Sequence, residues 1–229
     1  LRYGRQMRLL GEEAARALAL EVDEAGAATV PLAINADSLG TWFMEALARV
    51  ETDQVVFEVF REDQEHTASL LRAGKVMAAV TSTAEAVQGC RSELLGSMTY
   101  RAVCSPNFLA SELDGKVTPV RLGKATVVDF DRKDETQSRF FRELAGRPLR
   151  APRHYIPTSA DYARAIVLGL GWGLLPDRQC LEEIERGELV EVAPKRPVEI
   201  PLYWQRWTLD SPLLDRLTDA VRAAAAGGL

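Results

Sequence analysis

The sequence predicts an α/β protein of two lobes, and two observations lead there. Short apolar, partly β-branched runs alternate with helical patterns along most of the chain, as in parallel strands connected by helices. The alternation restarts near residue 125, and each set of strand–helix units is too small to account for all 229 residues. An extended run over 94–104 and a proline-punctuated run over 194–201 are the natural crossovers between lobes. The expected division is a linker helix over 1–25, lobe I from 26–98 and 199–229, and lobe II from 99–198. Two such lobes leave a cleft between them, where ligands usually sit.

Residues 1–20 have a helical pattern: Tyr3, Met7, Leu10, Ala14 and Ala17 recur four and three apart, the spacing of a coiled-coil seam. An amphipathic helix packed on its own domain is the other reading of that spacing. Residues 21–26 read as a linker. The first strand is expected over 29–34, and Asn35 to Ser38 supply N-cap chemistry for a helix over 39–48. Strand 54–60 and helix 64–73 follow, with Gly74 at the helix C-cap, then strand 76–81. After strand 94–104, Pro106 opens a short helix. The second series runs strand 125–130, helix 136–144, strand 154–156, helix 159–168, strand 173–175, helix 177–186 and strand 189–192. Strand 202–207 and helix 212–225 close the chain and return to lobe I.

A hydrophobic content of 47% and a charged content of 27% are those of an ordinary globular protein. The net charge of −5 weighs against this chain gripping nucleic acid by its own surface. No apolar run is long enough for a transmembrane helix, and no signal peptide is visible. The start at a leucine suggests a fragment of a longer protein. Cys90, Cys104 and Cys180 are widely spaced, so neither a disulfide framework nor a metal cluster is indicated, and inert buried thiols are expected. His66 and His154 have no ligand-like neighbours. No cofactor and no metal are expected.

Three strand ends carry short hydroxyl or amide side chains: Asn35 with Ser38, Thr81 with Ser82 and Thr83, and Thr158 with Ser159. In parallel α/β units these ends line the crevice, and helix N-termini there offer N–H groups to an anion. Each of these residues taken alone is also an ordinary N-cap. An acidic loop holds Asp129, Asp131 and Asp134. Asp131 is the candidate to receive an ammonium or guanidinium group, with Asp37 as a second, whereas Asp134 reads as a helix cap. Trp42, Tyr100 and Tyr162 are candidate cleft walls, Trp42 being an equally good core residue. No catalytic motif is present. GLGWG at 169–173 follows a helix rather than a strand, so it reads as a tight turn and not as a dinucleotide loop.

Several of these segments resemble the effector-binding half of the LysR-type transcriptional regulators, and within them the ArgP/IciA/LysG branch. The matching stretches are AINADSLGTWF from Ala33, LRAGKVMAAVTS from Leu71, VVDFDRKDE from Val127, PTSADYARAIVLGLGWGLLPD from Pro157 and LYWQRW from Leu202. The resemblance covers essentially the whole chain. It implies two Rossmann-like lobes with a double crossover, like type II periplasmic binding proteins, and the lack of catalytic motifs leaves no enzyme expected. It implies an effector between the lobes, a basic amino acid such as lysine or arginine. Contacts would come from Asn35, Ser38, Thr81, Thr158 and Ser159, with Asp131 in the matching acidic loop and Tyr100 on the crossover strand. It also implies a cytoplasmic regulator that dimerises through its effector domains and forms tetramers at full length, with an exposed helix face around Trp42 to Met44 as interface. Promoter DNA would be bound through an N-terminal domain absent from this sequence. The competing class is a free-standing solute-binding protein for amino-acid transport, which should carry an export signal or lipid anchor and has no use for a dimerising helix.

Overall fold

Residues 28–51, 55–61 and 64–229 are described in the computed structural model. The first series comprises β1 (Ala28–Ile34), α1 (Ala36–Thr41), α2 (Phe43–Leu47), β2 (Val55–Arg61), α3 (Gln64–Arg72), β3 (Ala78–Thr81) and β4 (Cys90–Cys104). The second comprises α4 (Pro106–Leu113), α5 (Pro119–Leu122), β5 (Val127–Asp129), α6 (Thr136–Ala145), β6 (Arg153–Tyr155), α7 (Ser159–Val167), β7 (Gly173–Pro176), a 3₁₀ turn (Asp177–Gln179), α8 (Leu181–Glu185) and β8 (Val190–Glu191). The chain closes with β9 (Val198–Trp207) and α9 (Pro212–Gly228). One compact unit takes the chain up to Gly96 and again from Pro201 to Leu229, and the other takes Ser97 to Ile200. The chain therefore passes between units inside two long strands, β4 and β9. The helix expected over 1–20, the linker over 21–26 and the side chain of His66 lie outside the described residues.

In the first unit β1 lies between β2 and β3 and is parallel to both, with Thr29 opposite Val56 and Leu32 opposite Ala78. Leu32, Ala33 and Ile34 are completely buried, so this strand shows a continuous apolar run rather than alternation. β9 returns antiparallel to β3 and pairs Thr81 with Tyr203. Helix α9 is opened by Ser211, whose hydroxyl accepts the Leu214 N–H, and by Pro212 in its first turn. Its buried stripe of Leu214, Leu217, Val221 and Ala224 packs inward. The Trp204 indole donates to Thr218 Oγ1 at 3.1 Å, which satisfies two buried polar groups at once.

The expected helix over 39–48 is two helices, because the chain breaks at Trp42 (φ −125°, ψ −23°). Gly40 weakens that turn, and the Thr41 hydroxyl donates back to the Asp37 carbonyl at 2.6 Å, a bond that bends helices. The bend turns both rings inward. Trp42 and Phe43 are 0% exposed and meet edge to face at 5.5 Å, while Met44 is 57% exposed. The expected exposed face around Trp42 to Met44 is thus reduced to Met44 alone.

In the second unit β5 and β6 are parallel, and β7 and β8 each pair antiparallel with β4. Tyr162 belongs to its core with Val103, Val128, Ile166 and Leu175, which corrects its assignment to a cleft wall. Its hydroxyl receives the Gln137 carboxamide at 2.6 Å and the Leu174 N–H at 3.2 Å. A Cβ at Gly173 would come within 2.4 Å of that hydroxyl, and Gly169 has φ +84°. The glycines of GLGWG therefore serve close packing and a tight turn. The expected helix over 177–186 is a 3₁₀ turn followed by the short α8, and α5 was not anticipated from the sequence. Cys104 and Cys180 are buried, and burial pushes both thiols up to about 12. Cys90 is half-buried and is also raised by burial. No helix among the described residues is long and apolar enough to cross a membrane.

Candidate functional site

The parallel pairing of β1 with β3 brings two of the polar strand ends to the same edge of the first unit. The register sets Leu32 opposite Ala78 and Ala33 opposite Ala79, and its continuation sets Asn35 beside Thr81. Asn35 caps α1: its Oδ1 accepts the Ser38 N–H at 2.8 Å. That bond engages the amide oxygen, and among the described residues Nδ2 is buried without a partner. The Ser38 hydroxyl, in a residue 0% exposed, is unpartnered too, and so is the indole N–H of Trp42 one turn further on. Buried polar atoms are nearly always paired, so three orphans within one short segment make it a candidate place for a ligand. Asn35 Nδ2 and Trp42 Nε1 are donors, and a hydroxyl is able to donate. Trp42 is a core residue with one polar atom to offer, not an aromatic wall.

Thr81 is 2% exposed, and its Oγ1 accepts the Thr83 N–H at 3.2 Å. Asp37 and Ser82 are half-buried and engaged by neighbours. Gln205, a residue of the first unit that sequence reasoning did not single out, holds the loop after β3. Its Nε2 donates to the carbonyls of Thr83 (3.0 Å) and Glu85 (2.8 Å), and its Oε1 accepts the Val87 N–H at 3.1 Å. A buried Gln on a strand at the far end of the sequence carries no local signal.

In the second unit the same construction recurs with different chemistry. Parallel β5 and β6 set Asp129 opposite Tyr155, and Trp172, just before β7, bridges in parallel to Val127. The acidic loop, the Thr158–Ser159 turn and the end of β7 therefore share one edge. Antiparallel β4 brings buried Tyr100 there, opposite Pro176. Asp129 is fully buried and paired with Arg153, which also donates to Ser138 Oγ at 2.8 Å. Burial pushes the Asp129 carboxyl up, against the pull of that guanidinium. Asp134 accepts the N–H groups of Phe130 and Thr136, the capping role read from the sequence. Asp131 folds its loop through Oδ1 alone, which accepts from Lys133 N (2.7 Å) and Asp134 N (3.0 Å). Its Oδ2 takes no protein donor among the described residues. Thr158 is exposed and bonded to Asp161, and the hydroxyl of Ser159 and the carboxamide of Gln179 are hydrogen-bonded at 2.9 Å.

Two α/β units, two strands running between them and a polar strand edge in each unit define a two-lobed, periplasmic-binding-protein-like ligand-binding fold. The chain belongs to the LysR family of transcriptional regulators: residues 26–226 match the LysR substrate binding domain. It is 42% identical over 230 residues to the lysine export transcriptional regulatory protein LysG of Corynebacterium efficiens, covering 98% of this chain and 76% of that protein. It is 38% identical over 198 residues to the regulator LysG of Mycobacterium tuberculosis, covering 86% of this chain. The aligned region spans 64% of the length of that mycobacterial protein. Among solved structures, ArgP of Mycobacterium tuberculosis superposes with a TM-score of 0.84 at 36% identity, over 99% of this chain and 76% of that one. Full-length LysG of Corynebacterium glutamicum with bound effector Arg gives a TM-score of 0.80 at 36% identity, over 100% of this chain and 77% of that one. The matched relatives are regulators of transcription rather than transport receptors or enzymes.

Proposed function

We propose that this chain senses a basic amino acid, lysine or arginine, through polar strand edges of its units, and does no chemistry on it. The orphan donors around Ser38 are the observation that carries the reading. Asn35 Nδ2, the Ser38 hydroxyl and Trp42 Nε1 match an acceptor-rich group, and the α-carboxylate of an amino acid is one. Thr81 completes that end, with Ser82 and Asp37 beside it. At the other end Asp131 keeps Oδ2 for the ammonium or guanidinium of the side chain. Tyr100, Thr158 and Ser159 share that edge. The LysG structure with bound Arg supports this choice of ligand.

A ligand favours whichever conformation of the chain binds it best, and the shift in population is the signal. The helix expected over 1–20 would pass that signal to a DNA-binding domain, in a cytoplasmic dimer that pairs further at full length. Isothermal titration of the chain with lysine, arginine, histidine and leucine tests the reading. Binding confined to the basic amino acids is expected. Silence for all four, or equal affinity for leucine, would overturn it.

A further inference from the structure

Arg132 follows Asp131 in the acidic loop, and its guanidinium lies over the ring of Tyr155, 4.6 Å from the centroid. Tyr155 ends β6, stands opposite Asp129 in the parallel pair and is 39% exposed. The ring face attracts the cation, and at an exposed site such a contact is weak but real. Among the described residues no carboxylate pairs with Arg132. Lys133, the other cation of the loop, is engaged by a neighbour.

The acceptors this loop leaves over lie close by. Asp131 Oδ2 takes no protein donor among the described residues, and Asp129 Oδ1 is buried without a partner there. Burial, and behind it the charges of Asp134 and Asp131, push the Asp129 carboxyl up against the pull of Arg153, so the three acids share one field. A guanidinium on the residue next to Asp131 is tethered to that field, and its effective concentration there exceeds that of a free ligand. If Arg132 paired with Asp131, a ligand cation would first have to displace it. With the ring in place that pairing forfeits the ring contact, and without the ring it forfeits nothing.

We propose that Tyr155 is a positioning residue: by holding Arg132 on its ring it keeps the loop's own cation off Asp131 and leaves that carboxylate for a cationic ligand. The inference rests on the reading that Asp131 receives the charged side chain of lysine or arginine.

The test titrates the chain with lysine and arginine in the wild type, Tyr155→Leu, Tyr155→Phe, Arg132→Gln and Asp131→Asn. Two double variants combine Tyr155→Leu with each of the last two. Tyr155→Leu should weaken binding of both amino acids about threefold, the scale of one exposed cation–π contact. Tyr155→Phe keeps the ring face and should bind like the wild type. Arg132→Gln removes the competitor and should bind at least as tightly as the wild type, and adding Tyr155→Leu should then change nothing. Nor should Tyr155→Leu alter the weaker binding left by Asp131→Asn, where the charge at 131 is gone. Thermal melting without ligand reports a general loss of stability, which Arg132→Gln would not cancel.

Equal affinity in the wild type and folded Tyr155→Leu overturns the inference and leaves the Asp131 reading intact. So does a loss in Arg132→Gln as large as that in Tyr155→Leu, which would make the contact a clamp on the loop. A Tyr155→Leu loss that persists in the Arg132→Gln background overturns it as well. If Tyr155→Leu does not fold, Tyr155→Gln takes its place in the same cycle. If neither folds, Tyr155 is a brace for β6 and the inference fails. Unchanged affinity in Asp131→Asn, or a wild type that binds neither amino acid, removes the Asp131 reading and this inference with it.

Discussion

The polar edge of the first unit and that of the second arise from the same parallel strand–helix construction, yet they differ in the polar atoms they leave over: neutral donors in the first, acceptor oxygens in the second. Around Ser38 the donors are buried, uncharged and, among the described residues, unpaired. In the acidic loop the carboxylates are mostly engaged at home: one oxygen of Asp129 by Arg153, Asp134 by two backbone N–H groups, and one oxygen of Asp131 by two more, while Asp129 Oδ1 is left buried without a partner among the described residues. Unpaired buried donors cost stability. Paired carboxylates shape a loop and leave only what is left over for binding. The count of acids in a sequence therefore overstates how many acids a ligand meets.

The comparison breaks most readily at Asp129. If it is structural, Asp129→Ala strands Arg153 and should destabilise the fold by about 2–3 kcal/mol, measured by urea denaturation. Unchanged stability would reopen it as a ligand group. Asp131→Asn keeps the oxygen that folds the loop and removes the charge, so stability should hold. Affinity for lysine or arginine should then fall by about 2 kcal/mol and affinity for a neutral amino acid hardly at all. Equal losses for both would show that Asp131 does not read side-chain charge. Ser38→Ala should weaken binding by about 1–2 kcal/mol without lowering the melting temperature of the free chain, since its hydroxyl has no partner there. A large loss of stability with retained affinity would make Ser38 a structural residue.

Two smaller effects sharpen the contrast between structural and available groups. The Arg222 guanidinium bonded to Glu93 holds that carboxyl below its ordinary value of 4.5. The folded chain thus releases this proton more readily than the unfolded one, so the pair's contribution is full above about pH 4.5 and fades as the pH falls below it. Because both side chains are partly exposed, Glu93→Gln should remove only about 0.5 kcal/mol at neutral pH and flatten that acid limb. Urea melts at pH 7 and below 4.5 read both. Last, Cys104 and Cys180 should resist alkylation at pH 8 in the native chain and react in urea, since burial keeps their thiols protonated. Ready labelling of either in the native state would place it nearer the surface.

Much of this was legible in the chain because it is local. Apolar runs at strand length, Asn35 ahead of a helical pattern and Pro106 or Pro212 at helix starts are signals complete within a few residues. What stayed hidden depends on residues far apart. The break at Trp42 follows from the Thr41 hydroxyl turning onto the helix backbone, and inside a helical spacing it looks like any other step. Tyr162 reads as an aromatic on a helix, and only the Gln137 and Leu174 partners show that its hydroxyl is spent in the core. Asp129 differs from Asp131 by the reach of Arg153, 24 residues on.

By itself the sequence determined the class of fold and the kind of side chain at each strand end. Hydrophobic periodicity and capping chemistry act over a few residues, and loops between parallel strands put those ends on one edge. Tertiary structure decided which of these groups remain available. Availability is a matter of hydrogen-bond partners, and partners come from other strands. Arg153 takes Asp129, Gln205 sets the loop behind Thr81, and among the described residues nothing takes the Ser38 hydroxyl.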